Sequence, residues 1–133
     1  MSVTMTEPQK DPRQTIGRQA EDAAAAFLTR RGFRIVERNV RFREGELDLV
    51  CRDRDVWVFV EVKCRRSHWD DGPGAAVSWL KQRRLVRLAQ IFLKSRGQGD
   101  TARCRFDVVA VTLDDGATPQ INHIVSAFDA RSD

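Results

Sequence analysis

Apolar and polar positions alternate with two different periods along this chain, and the changes of period divide it into elements. From Ile16 the apolar residues run Ile16, Ala20, Ala23, Ala24, Phe27 and Leu28, the three-and-four spacing of an amphipathic helix. Thr15 is a candidate N-cap and Gly32 a stop. At about 100° per residue, Glu21 falls at the border of the apolar stripe beside Leu28 and Gly17, whereas Asp22 points nearly the opposite way. Glu21 can therefore reach inward where Asp22 cannot.

Period two follows. Phe33 to about Phe42 reads as a first strand and Glu44-Gly45 as a turn. Residues 46–53 read as a second strand with Leu47, Leu49 and Cys51 on one face. A third, 56–63, sets Val56, Val58, Val60 and Val62 against Trp57, Phe59, Glu61 and Lys63. The stretch SHWDDGPG at 67–74 forms a loop. The helical period returns over about 75–95, with Val77, Leu80, Leu85, Leu88, Ile91 and Phe92 as its buried stripe and Gly97-Gln98-Gly99 closing it. Cys104–Thr112 is a fourth strand, Asp115-Gly116 a turn, and Gln120 to about Val125 a short fifth strand. The order αβββαββ predicts an α/β fold: a meander, a helical crossover that makes strand four parallel to strand three, and a final hairpin. Helices should flank both faces of this mixed central sheet. Residues 1–14 are polar, contain Pro8 and Pro12 and lack an apolar period, so a flexible arm is expected ahead of one domain, 15–133.

Composition narrows the class. A chain of 133 residues with 41% hydrophobic and 32% charged residues suits one soluble domain with its own core. No apolar run approaches a bilayer span and the N-terminus lacks the apolar core of a signal peptide, so a cytoplasmic protein with no membrane partner is expected. Three cysteines without a CxxC pair suggest neither a disulfide framework nor a zinc site; Cys51, Cys64 and Cys104 read as core or half-buried residues. The net charge of +4 hints at a polyanionic partner, but 19 Arg against 4 Lys is a skew that genome composition alone can produce.

The charges inside the hydrophobic hairpin change the picture more. If Arg54-Asp55 is a two-residue turn with Asp53 facing Val56, register pairs Asp48 with Glu61 at roughly 5 Å between Cβ atoms, and sets Glu46 opposite Lys63. Arg54-Asp55 is a poor match to the favoured Asn-Gly turns, so a one-residue slip is the alternative. Two carboxylates that close resist ionising unless a cation lies between them, and oxygen ligands favour Mg²⁺ or Mn²⁺. Lys63, on the Glu61 face, could orient an attacking water or neutralise charge on a phosphate. Cross-strand pairs at strand ends often face solvent. Here Trp57 and Phe59 share the face, and unpaired charge beside them is costly, which favours the metal site.

The second helix carries Lys81 and Arg84 inside its apolar stripe. They either snorkel to the edge or reach the acidic cluster or a bound phosphate. Arg65, Arg66 and His68 follow the hairpin, as phosphate contacts or as a solvated basic loop. Asp107 reads as a structural acid paired with an Arg, and His123 has no assigned role. Trp69 and Trp79 could stack on bases, although core or lid packing is the commoner role.

Together, Gly17-x-x-x-Glu21-x-x-Ala24, Gly32-Phe33, Asn39, Gly45-Glu46-Leu47-Asp48-Leu49, Phe59-Val60-Glu61-Val62-Lys63, Lys81 and Arg105-Phe106-Asp107-Val108-Val109 resemble the YraN-like family of small bacterial proteins. That family is placed in the PD-(D/E)xK restriction-endonuclease-like superfamily and is similar in layout to archaeal Holliday junction resolvases. The resemblance implies a restriction-endonuclease-like core in which Asp48 and Glu61 are metal ligands, Lys63 is the catalytic lysine and Glu21 is an additional helix-borne acid. Lys81 matches a basic helix position. Gly45-Glu46 stands where the superfamily name expects Pro before its Asp, and Cys64 stands where many relatives have Thr. The expected activity is Mg²⁺-dependent cleavage of branched or structured DNA in repair or recombination, with Lys81, Arg84, Arg65 and Arg66 on the nucleic acid. A homodimer would suit cutting of two symmetric strands. The alternatives are a nuclease-fold binding module without turnover and a protein-interaction adaptor.

Overall fold

The computed structural model describes residues 12–65, 77–99, 101–113 and 118–130. Residues 1–11 of the expected arm, the 67–74 loop, the Asp115-Gly116 turn, and Arg66, His68 and Trp69 lie outside them. The elements are α1 (Pro12–Arg30), β1 (Arg34–Phe42), β2 (Gly45–Asp53), β3 (Val56–Arg65), α2 (Trp79–Ser95), β4 (Cys104–Thr112) and β5 (Gln120–Phe128), in the order the periodicities predict. The five strands form one sheet ordered β1-β2-β3-β4-β5, antiparallel throughout except for the parallel β3–β4 pair. A parallel neighbour needs a crossover, and α2 supplies it. Among the described residues no helix is long and apolar enough to cross a membrane.

Each helix covers one face. Ala20, Ala24, Ala25 and Leu28 of α1 pack on Leu49, Cys51, Val58, Val60, Val109 and Val111. The small alanines let the helix lie close to this β-branched face. Leu85, Leu88, Ala89, Phe92 and Leu93 of α2 pack on Val50, Trp57, Phe59, Phe106 and Val108. Here aromatic rings fill the layer, with Phe59 stacked on Phe106 and edge-on to Phe92. Both faces of the central strands are buried, as a crossover sheet requires.

Helix ends and strand phase depart from the periodicity in informative ways. α1 begins at Pro12, so Thr15 lies inside the helix instead of capping it. Its C-terminus is the expected one: Gly32 takes φ 92°, its N–H donates to the Thr29 carbonyl and the Phe33 N–H donates to that of Leu28. This paired closure needs a left-handed residue, which glycine supplies without steric cost. α2 starts after Ser78, whose hydroxyl accepts from the Lys81 N–H. Leu80, expected in the buried stripe, is 71% exposed because it sits in the first turn, before the helix reaches the sheet. Ala89 and Leu93 are buried in addition to Leu85, Leu88 and Phe92, whereas Ile91 is only half-buried. β5 runs three residues past Val125, through an irregularity where Ser126 takes φ 52°. Cys51 is buried, Cys104 half-buried and Cys64 exposed, the last against expectation.

The largest departure is in β2. Leu47 packs in the α2 layer, but Leu49 and Cys51 pack in the α1 layer, so the three do not share a face. The phase changes at Asp48. On the neighbouring strand Asn39, between the Arg38–Leu49 and Val40–Leu47 pairs, takes φ 53°. Asn is among the few residues that tolerate this region. A period-two reading assumes an unbroken pleat, and here two adjacent strands break it side by side.

Candidate metal centre

The β2–β3 ladder runs from Asp53–Val56 to Leu49–Val60 in the register that a two-residue Arg54-Asp55 turn dictates, with Arg54 at φ 58°. The next pair would be Asp48 and Glu61. The ladder stops one step short, and the Asp48 carboxylate takes up the exposed backbone instead: its Oδ2 accepts from the Val62 N–H at 2.9 Å. The strands part at this point, and the acid is held in the fork.

Three carboxylates converge there. One oxygen each from Glu21, Glu46 and Asp48 lies within 4.8 Å of the others, all three residues half-buried. Glu21 arrives from α1, at the border of the stripe as its helical angle requires, while Asp22 faces outward and bonds Arg38 at 2.5 Å. Glu46 and Asp48 come from β2. Glu46, expected opposite Lys63, instead pairs with Arg41 at 3.1 Å. Its membership of the cluster is a feature that the register reading missed, although its place two residues before Asp48 was a sequence signal. The parting of β2 from β3 is what removes Glu46 from the Lys63 register.

Glu61 approaches from the other side. It is 6% exposed, and its carboxylate raises the Asp48 proton affinity both by charge and by hydrogen bonding. Its own countercharge is Lys81, which forms an ion pair with Glu61 Oε2. Lys81 thus reaches the acidic cluster. Arg84 does something different: its aliphatic stem lies over Gly45, where a Cβ would meet Arg84 Cδ and Leu88 Cδ1 at 3.3 Å. Glycine at 45 lets α2 sit directly on the β1–β2 turn that presents Glu46.

The electrostatic result is concentrated on Asp48. Burial first, then the Glu61 charge, pushes its carboxyl from 3.8 up to about 8, with Glu21 adding to the rise and the Val62 N–H opposing it. A carboxyl that holds a proton near neutrality is a group short of positive charge. The donor set is all oxygen, which fits a hard divalent cation such as Mg²⁺ or Mn²⁺ and offers nothing to a soft one.

Lys63 is half-buried, two residues beyond Glu61 on the same strand and therefore on the same face. Its neighbour across the β3–β4 ladder is Ala110, whose small side chain leaves a polar recess of about 180 Å³ shared with Arg65, Thr112, Gln120 and Asn122.

The remaining charged core group stands apart. Asp107 is fully buried and accepts from Arg105 at 3.0 and 3.2 Å, from His123 Nε2 at 2.8 Å and from the Ser126 N–H at 3.0 Å. This is the expected structural acid, with His123 as an unforeseen partner. Arg31 approaches His123 Nδ1 at 3.1 Å, and because Arg only donates, Nδ1 accepts and Nε2 carries the proton toward Asp107. Cys51 shares this interior; burial and then the Asp107 charge push its thiol up to about 12, so it is not a nucleophile.

Comparison with known proteins identifies the family of the chain. Residues 20–111 match the model of a family described as "Uncharacterised protein family UPF0102". A UPF0102 protein of Anaeromyxobacter dehalogenans is 51% identical over 119 residues, 90% of this chain and 87% of the relative. Others from Symbiobacterium thermophilum and Pseudomonas syringae are 49% and 43% identical, spanning 86% and 92% of this chain and 97% and 99% of the relatives. With most of the chain covered by the family model and by relatives of nearly equal length, the protein is a member of the UPF0102, or YraN-like, family.

Proposed function

We propose that the protein is a divalent-metal-dependent endonuclease that hydrolyses phosphodiester bonds in branched or structured DNA. The observation that carries this reading is the fork at Asp48, where a carboxyl pushed up to about 8 stands with Glu21 and Glu46 within 4.8 Å and with Glu61 beside it. Repulsion among these acids is relieved by a cation, and Asp48, Glu46, Glu21 and Glu61 are the groups that would hold it. When bound, Mg²⁺ or Mn²⁺ supplies Lewis acidity toward a phosphate oxygen and acidifies a water.

The chain's own residues do the rest. Lys81 is the countercharge of the buried Glu61, and a cation held by these acids would free Lys81 for a phosphate. Lys63 places an ammonium on the same face, where it orients the attacking water or stabilises charge developing on the phosphate. Arg84 and Arg65 are the proposed phosphate contacts, and such contacts position the strand without reading its bases.

The Lys81–Glu61 ion pair also favours a second reading, a binding module of the same fold without turnover, since it satisfies Glu61 with no metal. Calorimetric titration with Mn²⁺ tests the first step common to catalysis. Wild type should bind and Asp48→Asn should not. Equal binding by both removes Asp48, and with it the proposed centre.

A further inference from the structure

The face of α2 turned away from the core carries a feature that the carboxylate centre does not use. Trp79 keeps 52% of its surface exposed and Leu80 keeps 71%, against the expectation that Trp79 packs in the core or under a lid. The Arg83 guanidinium lies over the Trp79 ring at 4.9 Å. Trp79, Arg83 and Arg87 recur every four residues, so they form one ridge along the helix. With Arg84 and Glu44 they line a groove of about 520 Å³, which also includes Asp129.

The groove adjoins the turn that presents Glu46 to the proposed centre. Arg84 lines it and also lies on Gly45. Glu44 lines it as well, two residues before Glu46 of the carboxylate cluster, or roughly 7 Å along an extended chain. Lys81, one turn away on the same helix, holds Glu61. A polymer lying in the groove is thereby led to the fork at Asp48.

We infer that this groove docks an unpaired DNA strand. The inference rests on the nuclease reading for its choice of DNA and deepens it by naming the part of the substrate that is held. An exposed indole offers a flat apolar face, and a nucleobase presents its own face only when it is not already stacked inside a duplex. Arg83, Arg84 and Arg87 supply three guanidinium groups to the groove for the phosphates between stacked bases.

The test is equilibrium binding without divalent metal, by anisotropy of a labelled twelve-nucleotide thymidine strand and of a blunt duplex of the same length. Wild type should bind the single strand more tightly than the duplex. Trp79→Ala should lose about 5- to 150-fold on the single strand, the range for one stacked base, with little change on the duplex, while Trp79→Phe keeps most of the affinity. Replacing Arg83 and Arg87 together with Gln should lower the slope of log affinity against log salt by about 1.4, two contacts at about 0.7 each on a single strand. Unchanged single-strand binding in Trp79→Ala overturns the inference. So does an equal loss on both DNAs, a tighter complex with uridine RNA, or a wild-type dimer that Trp79→Ala dissociates. The docking and the nuclease readings fail separately: binding of an unpaired strand through Trp79 with no cleavage in Mg²⁺ or Mn²⁺ keeps the first and ends the second.

Discussion

Asp48 is tied to the backbone by the Val62 N–H and takes its chemistry from the acids around it. Its carboxyl is raised in the folded protein, so the stability it contributes is present below the ordinary value of 3.8 and is lost as pH rises through about 8. In the absence of divalent metal, the melting temperature of wild type should fall between pH 6 and 9 more than that of Asp48→Asn. Because metal and proton compete for one group, the apparent Mn²⁺ affinity should fall about tenfold per pH unit below that midpoint. Thermal unfolding and calorimetry across this range check both, and a wild type that matches the Asn variant at every pH contradicts them. The Asp48 and Glu61 neighbourhood was legible from strand register and turn length alone. The place of Glu46 was not, because a register argument assumes that a ladder continues past its last pair, and this one opens where like charges meet.

Several elements build the fork. On β1 and β2, Asn39 in the left-handed region and the phase change at Asp48 act together, turning Leu47 toward α2 while Leu49 stays with α1. Asn39→Val should destabilise the fold by about 1–3 kcal/mol, since a β-branched residue is strained at φ 53°, and should weaken Mn²⁺ binding by misplacing Asp48. Asn39→Gly, which accepts that backbone, should keep the metal site. Denaturant unfolding with Mn²⁺ titration of both variants distinguishes phase control from a bystander loop; full metal affinity in the Val variant would rule phase control out. Neither break was legible from hydrophobic pattern, since Leu47, Leu49 and Cys51 alternate as an unbroken strand does. On α2 the inward pull on Lys81 was visible on a helical wheel, and its partner Glu61 is the buried acid that the hairpin pattern had singled out. The exposure of Leu80 was not visible, because a wheel treats the first turn as though it already faced the sheet.

At the scale of the whole molecule, charge is sorted into two interior sites on a single sheet. In the fork Glu61 is paired with Lys81 and Glu46 with Arg41, but Asp48 between them is short of positive charge, whereas Asp107 is matched by Arg105, His123 and the Ser126 N–H. An acid with complete partners is structural, and one without them is available for chemistry. Asp107→Asn should therefore lower stability by about 2–4 kcal/mol, because one oxygen cannot serve the four N–H donors from Arg105, His123 and Ser126, while leaving Mn²⁺ affinity unchanged. Chemical denaturation and calorimetry on the same variant check this, and loss of metal binding in the folded variant would merge the two sites. The topology was readable because each change of period coincides with a change of element. A meander followed by one helical crossover admits few alternatives.

Cleavage of four-way-junction, flap and fork DNA, with linear duplex as control, in Mg²⁺ or Mn²⁺ tests the central claim most directly, run with wild type, Asp48→Asn and Lys63→Ala. Metal-dependent cutting by wild type on at least one branched substrate is the expected result. Asp48→Asn should lose both metal and cutting. Lys63→Ala should lose cutting while binding DNA nearly as well as wild type, because the ammonium acts in the transition state. Wild-type protein that binds Mn²⁺ at Asp48 and binds branched DNA, yet cuts none of these substrates with either metal, would contradict the nuclease assignment and leave a binding module in its place.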